Sequence, residues 1–261
     1  MKYSNIVKGT FIKRDNRFIA QVNINGNVEV CHVKNTGRCR ELLVEGAEVF
    51  LEPSTNPERK TKFSLVVVNK NGRLVNMDSQ APNKVVEEAI LNGLIFDNVT
   101  YLKREFRYCK SRFDFYMEQG SVKSFIEVKG VTLENNNVVS FPDAPSERAV
   151  KHLDELKKSI NDGYNAYVLF VVQMSDVDYF VPNAENHKEF ADKLKEVSNA
   201  GVNILAYDCN VKADELVLRN NKVEVRIWKD SICADFQKLD YNNWRSVFLL
   251  QILCIKISKK I

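Results

Sequence analysis

Three ionisable side chains stand close together where strands ought to be apolar. The stretch Ser111–Val131 reads SRFDFYMEQGSVKSFIEVKGV, two strand-like segments around a short Gly-containing turn. Asp114 lies between Phe113 and Phe115, and Glu127 and Lys129 flank Val128. Alternation along a strand puts Glu127 and Lys129 on one face, and it puts Asp114 with Arg112, opposite the two phenylalanines. An acid on one strand and Glu-x-Lys on the next can gather two carboxylates and an ammonium at one point. A hard divalent cation such as Mg²⁺ or Mn²⁺ takes one or two carboxylates plus water and substrate phosphate. Asp114 and Glu127 would supply the carboxylates, with the Val128 carbonyl as a third ligand. Lys129 would sit beside the water or the scissile phosphate, in chemistry suited to phosphodiester hydrolysis. The same spacing also fits an ion pair, Glu127 with Lys129 or Asp114 with Arg112, on the wet face of an edge hairpin, and D-x(n)-E-x-K alone does not separate the two.

The neighbouring segments suit a polyanion. The helix expected upstream carries Glu87 and Glu88. The one expected from about Ser146 to Ile160 shows Arg148, Lys151, His152 and Glu155 on one side and Ala149, Val150, Leu153, Leu156 and Ile160 on the other. A basic helix face beside carboxylates fits nucleic acid, and it equally fits plain solvent exposure. The next apolar run, Tyr167–Val172, reads as a buried central strand ending in polar Gln173.

Residues 1–79 read differently. Ile6–Ile12, Phe18–Ile24, Val28–Val33, Ala47–Glu52, Thr61–Asn69 and Arg73–Asn76 form about six short strands with turn signals at Arg14-Asp15-Asn16 and Asn25-Gly26-Asn27. That spacing predicts a small barrel of the oligonucleotide-binding (OB) kind or another compact all-β core. Asn35 and Arg38, in His32-Val33-Lys34-Asn35-Thr36-Gly37-Arg38, and the cluster Arg59-Lys60-Thr61-Lys62 could hold phosphate oxygens or simply be solvated. Residues 1–80 hold 13 Lys/Arg against 8 Asp/Glu, and the remaining residues 25 against 26, so the surplus of positive charge lies in the first third. From Gln80 onward helices and strands alternate, which predicts an α/β (α+β) domain with a mixed sheet over 80–227. Residues 228–261, with both tryptophans and the apolar Val247–Ile255 run, form a separate extension. That extension leaves a homo-oligomeric contact open, with packing on its own domain as the alternative.

Other classes fit poorly. Six scattered cysteines without C-x-x-C spacing, and three histidines, argue for free thiols in a reducing compartment over a disulfide scaffold or a zinc site. MKYSNIVKG is no signal peptide, and no apolar run approaches the ~20 residues of a membrane span, so a cytoplasmic location and no membrane partner are expected.

The chain also resembles a known family. The pieces that carry the resemblance are Asn16-Arg17-Phe18, His32 to Arg38, Glu41-Leu42-Leu43, Arg59-Lys60-Thr61, Pro82-Asn83, Ser111-Arg112-x-Asp114, Glu127-Val128-Lys129-x-Val131-Thr132-Leu133, Phe141-Pro142-Asp143-Ala144 and Lys151-His152-Leu153-x-Glu155-Leu156. In that order, over roughly residues 5 to 226, they resemble the sugar fermentation stimulation protein A (SfsA) family. The resemblance implies an N-terminal OB-like domain and a restriction-endonuclease-like, PD-(D/E)xK, domain. It also implies DNA binding and a link to regulation of sugar (maltose) metabolism genes in bacteria. On it, Asp114, Glu127 and Lys129 form the nuclease-type core, with Glu88 as a fourth acid and Gln173 as an accessory residue. Asn35, Arg38, Arg59 and Lys60, in the matched pieces of the barrel, become expected nucleic-acid contacts beside Arg148, Lys151 and His152 of the basic helix face, to DNA in the first place and RNA in the second. Phe113 stands where the motif's naming proline would be. Three functions remain: a Mg²⁺- or Mn²⁺-dependent nuclease, a non-catalytic DNA-binding regulator on the same fold, and a binder of small anions.

Overall fold

The computed structural model describes residues 1–227; the extension expected over 228–261 lies outside the described residues. The first five strands are β1 (Val7–Asn16), β2 (Ile19–Ile24), β3 (Asn27–Val33), β4 (Glu48–Pro53) and β5 (Phe63–Lys70), followed by β6 (Arg73–Asn76). They pair in the order β3-β2-β1-β4-β5-β6, and β3 also pairs with β5, so five strands close into a barrel. Its interior is built by alternation: Ala20, Val22 and Ile24 of β2 and Cys31 and Val33 of β3 point in while their neighbours face out. Two local expectations shift. Arg14 lies inside β1 and not in a turn, and Arg59-Lys60 lies in the loop before β5 and not at its start.

The second half is a six-stranded mixed sheet. Its strands are β7 (Tyr101–Tyr108), β8 (Ser111–Gln119), β9 (Val122–Val131), β12 (Asn165–Val172), β14 (Asn203–Lys212) and β15 (Glu215–Lys222), ordered β15-β14-β12-β9-β8-β7. The three central strands β9, β12 and β14 run parallel to one another. A smaller sheet joins β10 (Leu133–Asn135), β11 (Val138–Phe141), β13 (Tyr179–Pro182) and β16 (Glu224–Val225). Helix α1 (Ala81–Leu91) covers one face of the main sheet, packing Val85, Val86 and Ile90 on Phe115, Ile126, Val128 and Leu169. Helices α2 (Glu147–Asn161) and α3 (Lys188–Asn199) cover the other, with Leu153, Leu156, Phe190 and Leu194 over Phe113, Val168 and Phe170. Helix α2 starts where its sequence says it should: the Ser146 side chain accepts the Ala149 N–H at 3.3 Å.

One core runs through both halves, from Phe11 and Leu65 of the barrel to Val131 of β9 and Met174 just past β12. Polar contacts reinforce that seam. Glu134, 8% exposed, takes Lys70 Nζ at 2.6 Å, Arg73 at 3.3 Å and the Asn137 N–H at 2.7 Å. No helix among the described residues is long and apolar enough to cross a membrane.

Candidate metal centre and nucleic-acid interface

The site begins where β8 leaves β9. The two strands pair from Gln119↔Val122 to Phe115↔Ile126 and no further, although β8 stays paired with β7 to Ser111. Opposite Asp114, Glu105 of β7 has a left-handed backbone, φ 55°, which is uncommon for a non-glycine residue. Alternation breaks at this point. Phe113 and Phe115 do not share a face as the sequence suggested but fill the two different cores. β9 is thereby left with an unpaired amide at Val128, and Asp114 fills the gap: its Oδ2 accepts that N–H at 2.8 Å. Its Oδ1 accepts Asn83 Nδ2, from the first turn of α1, at 2.7 Å.

Glu127 and Lys129 lie on the face of β9 that looks toward α2. Glu127 is 3% exposed. Its Oε1 accepts Lys129 Nζ at 2.6 Å and also contacts His152 Nδ1, while its Oε2 is buried with no protein partner. The outer nitrogen of the imidazole, Nε2, accepts Arg148 Nε at 3.4 Å, which assigns the ring proton to Nδ1 and makes His152 a donor to Glu127. Of the two ion pairs the sequence allowed, Glu127–Lys129 forms, but buried and not on a wet face. Asp114–Arg112 does not form, since Arg112 pairs with Glu105 at 2.9 Å.

The electrostatics separate the two acids. Burial, followed by the nearby Glu127 charge, raises the Asp114 carboxyl above its ordinary range, and the Val128 amide, Lys129 and Asn83 only partly counter this. Burial also pushes Glu127 upward, but Lys129 and His152 outweigh it and hold the carboxyl below its ordinary range. The result is an anion at Glu127 beside an acid that resists becoming a second one. A divalent cation fits this arrangement. It would complete the orphaned Oε2 of Glu127 and offset the repulsion that disfavours ionised Asp114. No group of three or more His, Cys, Asp or Glu side chains gathers in ligating positions among the described residues. A cation here would therefore be held by these two carboxylates, a backbone carbonyl such as that of Val128, and water or substrate oxygen.

The other expected residues divide. Glu88 is not brought to the acids; it is half exposed and pairs with the Met1 ammonium at 2.7 Å, while Asn83 occupies the α1 position beside Asp114. Glu87 pairs with Arg104 at 3.1 Å. Gln173 is buried, with its Nε2 donating to Asn76 Oδ1 at 2.8 Å and to the Asp78 carbonyl at 3.1 Å, so its amide ties the sheet to the barrel. His152 is not on the open basic face, because it is buried under Glu127. The sequence held a signal for this: His152 is three residues after Ala149 and four before Leu156, at the margin of the apolar stripe. Arg148 and Lys151 are exposed and, with Lys110, Ser111 and Arg112, line an open groove of about 650 Å³ whose floor includes His152.

A second cleft, of about 370 Å³, lies between the barrel and the sheet, and Asn35, Gly130 and Gln173 line it. Arg38, Arg59 and Lys60 do not. Sequence reasoning missed the residue that shapes its wall. Arg14 donates to the carbonyls of Asn16, Arg17, Asn35, Gly37 and Arg38 at 2.6–3.2 Å and so fixes the loop after β3. At the floor, a Cβ on Gly130 would come within 2.5 Å of Gln173 Oε1 and 2.9 Å of Pro82 Cγ. Gly130→Ala is therefore expected to cost roughly 1–3 kcal/mol by forcing those neighbours apart. Urea unfolding measures it, and an unchanged midpoint would show that the close approach is absent.

Fold and site define a class: an OB barrel joined to a restriction-endonuclease-like α/β domain with an acid–acid–lysine cluster at the edge of its central parallel strands. Residues 12–77 match the family model described as the SfsA N-terminal OB domain, and residues 80–215 the one described as the sugar fermentation stimulation protein RE domain. The chain belongs to the sugar fermentation stimulation protein (SfsA) family. The sugar fermentation stimulation protein homolog of Clostridium beijerinckii is 60% identical over 220 residues, which cover 84% of this chain and 97% of the relative. That of Ruminiclostridium cellulolyticum is 56% identical over 227 residues, 87% of this chain and 100% of the relative. Among solved structures, Pyrococcus furiosus SfsA in complex with Ca²⁺ superposes with a TM-score of 0.80 at 29% identity, covering 87% of this chain and 98% of that one.

Proposed function

We propose that this protein is a divalent-cation-dependent nuclease that acts on DNA, with RNA as the other polymer to test. One observation carries the reading. Glu127 spends one oxygen on Lys129 and His152 and keeps the other buried and unpartnered, close enough to Asp114 for its charge to raise that carboxyl. The Ca²⁺ complex of the Pyrococcus furiosus relative supports a divalent cation in this family; here we take Mg²⁺ or Mn²⁺ as the working ion. Asp114 and Glu127 would hold it, with the Val128 carbonyl as a further ligand. Bound there, the cation would neutralise charge building on the phosphate and make water more acidic.

The chain's own groups do the remaining work. Asn83 and the Val128 amide fix the Asp114 carboxylate, and His152 fixes that of Glu127. Lys129 keeps N–H donors beyond its bond to Glu127 and offers them to the attacking water or to a phosphate oxygen. Glu88 and Gln173 act as supports outside the acid cluster. Arg148 and Lys151 would follow the phosphate backbone in the open groove, and Arg38, Arg59 and Lys60 would extend the contact over the barrel. In this reading residues 1–79 are the nucleic-acid-binding unit and 80–227 carry the chemistry.

A second reading, a non-catalytic DNA-binding regulator of sugar metabolism that retains the nuclease fold, draws on the tight Lys129–Glu127 pair, which can also be read as a closed structural ion pair. The test is incubation of single- and double-stranded DNA and RNA with Mn²⁺. Cut phosphodiester bonds in at least one polymer are expected. Intact polymers throughout would leave the regulator.

A further inference from the structure

We propose that the cleft between barrel and sheet takes a single unpaired nucleobase, so that the strand this site is built to receive is single-stranded or locally opened; the proposal rests on the nuclease reading above. The argument begins with the contrast between the two hollows near β9. The open groove is cationic, with Lys110, Arg112, Arg148 and Lys151 against Glu147. The cleft is nearly uncharged. Only Arg17 and Asp143 among its lining residues carry charge, and Asp143 Oδ2 is already used by the Cys39 N–H at 2.9 Å.

The rest of the cleft lining alternates hydrogen-bonding groups with apolar surface. Asn35 and Thr36 stand on the barrel side, with Ser140, Phe141 and Pro142 across from them. Arg17 and the turn at Asn35-Thr36-Gly37 can take a phosphate oxygen at the rim, but the remaining walls offer it no further cation. A nucleobase, flat, neutral, apolar on its faces and polar along its edges, matches them. The volume of about 370 Å³ lies in the range of pockets for small molecules, roughly 300–1,000 Å³.

Position ties the cleft to the chemistry. Its floor is Gly130, the residue after Lys129, and the absence of a side chain there lets Gln173 Oε1 reach the floor. A base in the cleft would thus hold its strand at the end of β9, where Gly130, Val131 and Thr132 follow Lys129, and beside Ser146, the cap of the helix that bears Arg148 and Lys151. The wall is set before any ligand arrives, since Arg14 holds the carbonyls of Asn35, Gly37 and Arg38 and Asp143 holds the Cys39 amide. A base stacked and paired in a duplex cannot enter such a cleft; an unpaired one can.

The experiment uses the full chain in chelator, so that binding is read without cleavage. The probes are a DNA 12-mer with a central 2-aminopurine, alone and as a blunt duplex. The single strand is expected to bind at least ~10-fold more tightly, about one stacking interaction, and its fluorescence to rise as the base leaves its stacked neighbours. Ser140→Leu and, independently, Thr36→Leu in the exposed loop fill the cleft without adding charge or a ring. Each should lower single-strand affinity ~10-fold and remove the fluorescence rise while leaving duplex affinity unchanged. Equal affinity for the two probes with no fluorescence change overturns the proposal, as does wild-type behaviour of both variants. If the wild type binds neither probe, the nucleic-acid reading fails and the cleft proposal with it.

Discussion

Glu127→Gln is expected to abolish Mn²⁺ binding while leaving the metal-free protein folded. Glutamine is nearly isosteric, and its carbonyl oxygen still accepts from His152 and Lys129 where Glu127 Oε1 does now. What is lost is the orphaned oxygen, since an amide nitrogen in the place of Oε2 cannot ligate a cation. Loss of a group that only orients a ligand costs about 10–100-fold in metal affinity, so loss of the ligand itself should cost at least ~100-fold. Calorimetric titration reads this directly. Thermal melting gives a second readout, because a cation bound only to the folded state raises the wild-type midpoint and would not raise that of the variant. Unchanged Mn²⁺ affinity in Glu127→Gln would remove this carboxylate from the site.

Glu134→Ala is expected to produce the largest loss of stability, about 3 kcal/mol or more. The carboxylate is buried at the seam between the halves and receives Lys70, Arg73 and the Asn137 amide. Removing it takes the counter-charge from two cations that are themselves mostly covered, leaving Lys70 the Glu134 carbonyl and Arg73 the Asn137 side chain and Asp176 carbonyl, and it frees one amide. Burial pushes this carboxyl upward, but Lys70, the Asn137 amide and Arg73 hold it below its ordinary range in the folded state. A lowered folded value means the contribution is complete above the unfolded carboxylate range and disappears as the pH falls through the folded one. Urea unfolding at neutral pH should therefore separate variant from wild type, and the gap should narrow in acid. A variant as stable as wild type at neutral pH would show that the seam does not depend on this cluster.

Much of the architecture was legible because burial in a barrel leaves a period of two in the sequence. The barrel strands alternate inward Val, Ile and Leu with outward polar residues, and Tyr167–Val172 announced a strand covered on both faces. β15 went unread because it is an edge strand. Only Leu216 and Leu218 of its eight residues are buried, and its tail, Arg219-Asn220-Asn221-Lys222, looks like loop. β13 has four residues and little pattern to read.

The site was legible in its acids but not in how they are held. Asp114, Glu127 and Lys129 stand out as charges on apolar strands. Their arrangement depends on where β8 parts from β9, and no periodicity encodes that. The same holds for partners distant in sequence: Asn83 reaches Asp114 across 31 residues and His152 reaches Glu127 across 25. Glu88 was expected as a fourth acid on the resemblance, but the helix turns it toward the Met1 ammonium. Arg14, which reads as part of a turn, gave no hint that it fastens five carbonyls.

The central claim is that Lys129 and the two carboxylates beside it cut a phosphodiester. Single-turnover cleavage of DNA in Mn²⁺, wild type beside Lys129→Ala, tests it most directly. The wild type should cut, and the variant should still bind DNA but cut about 10²–10³-fold more slowly, the loss typical of removing one donor to developing charge. Equal rates in the two proteins, or no cleavage by the wild type, would contradict it.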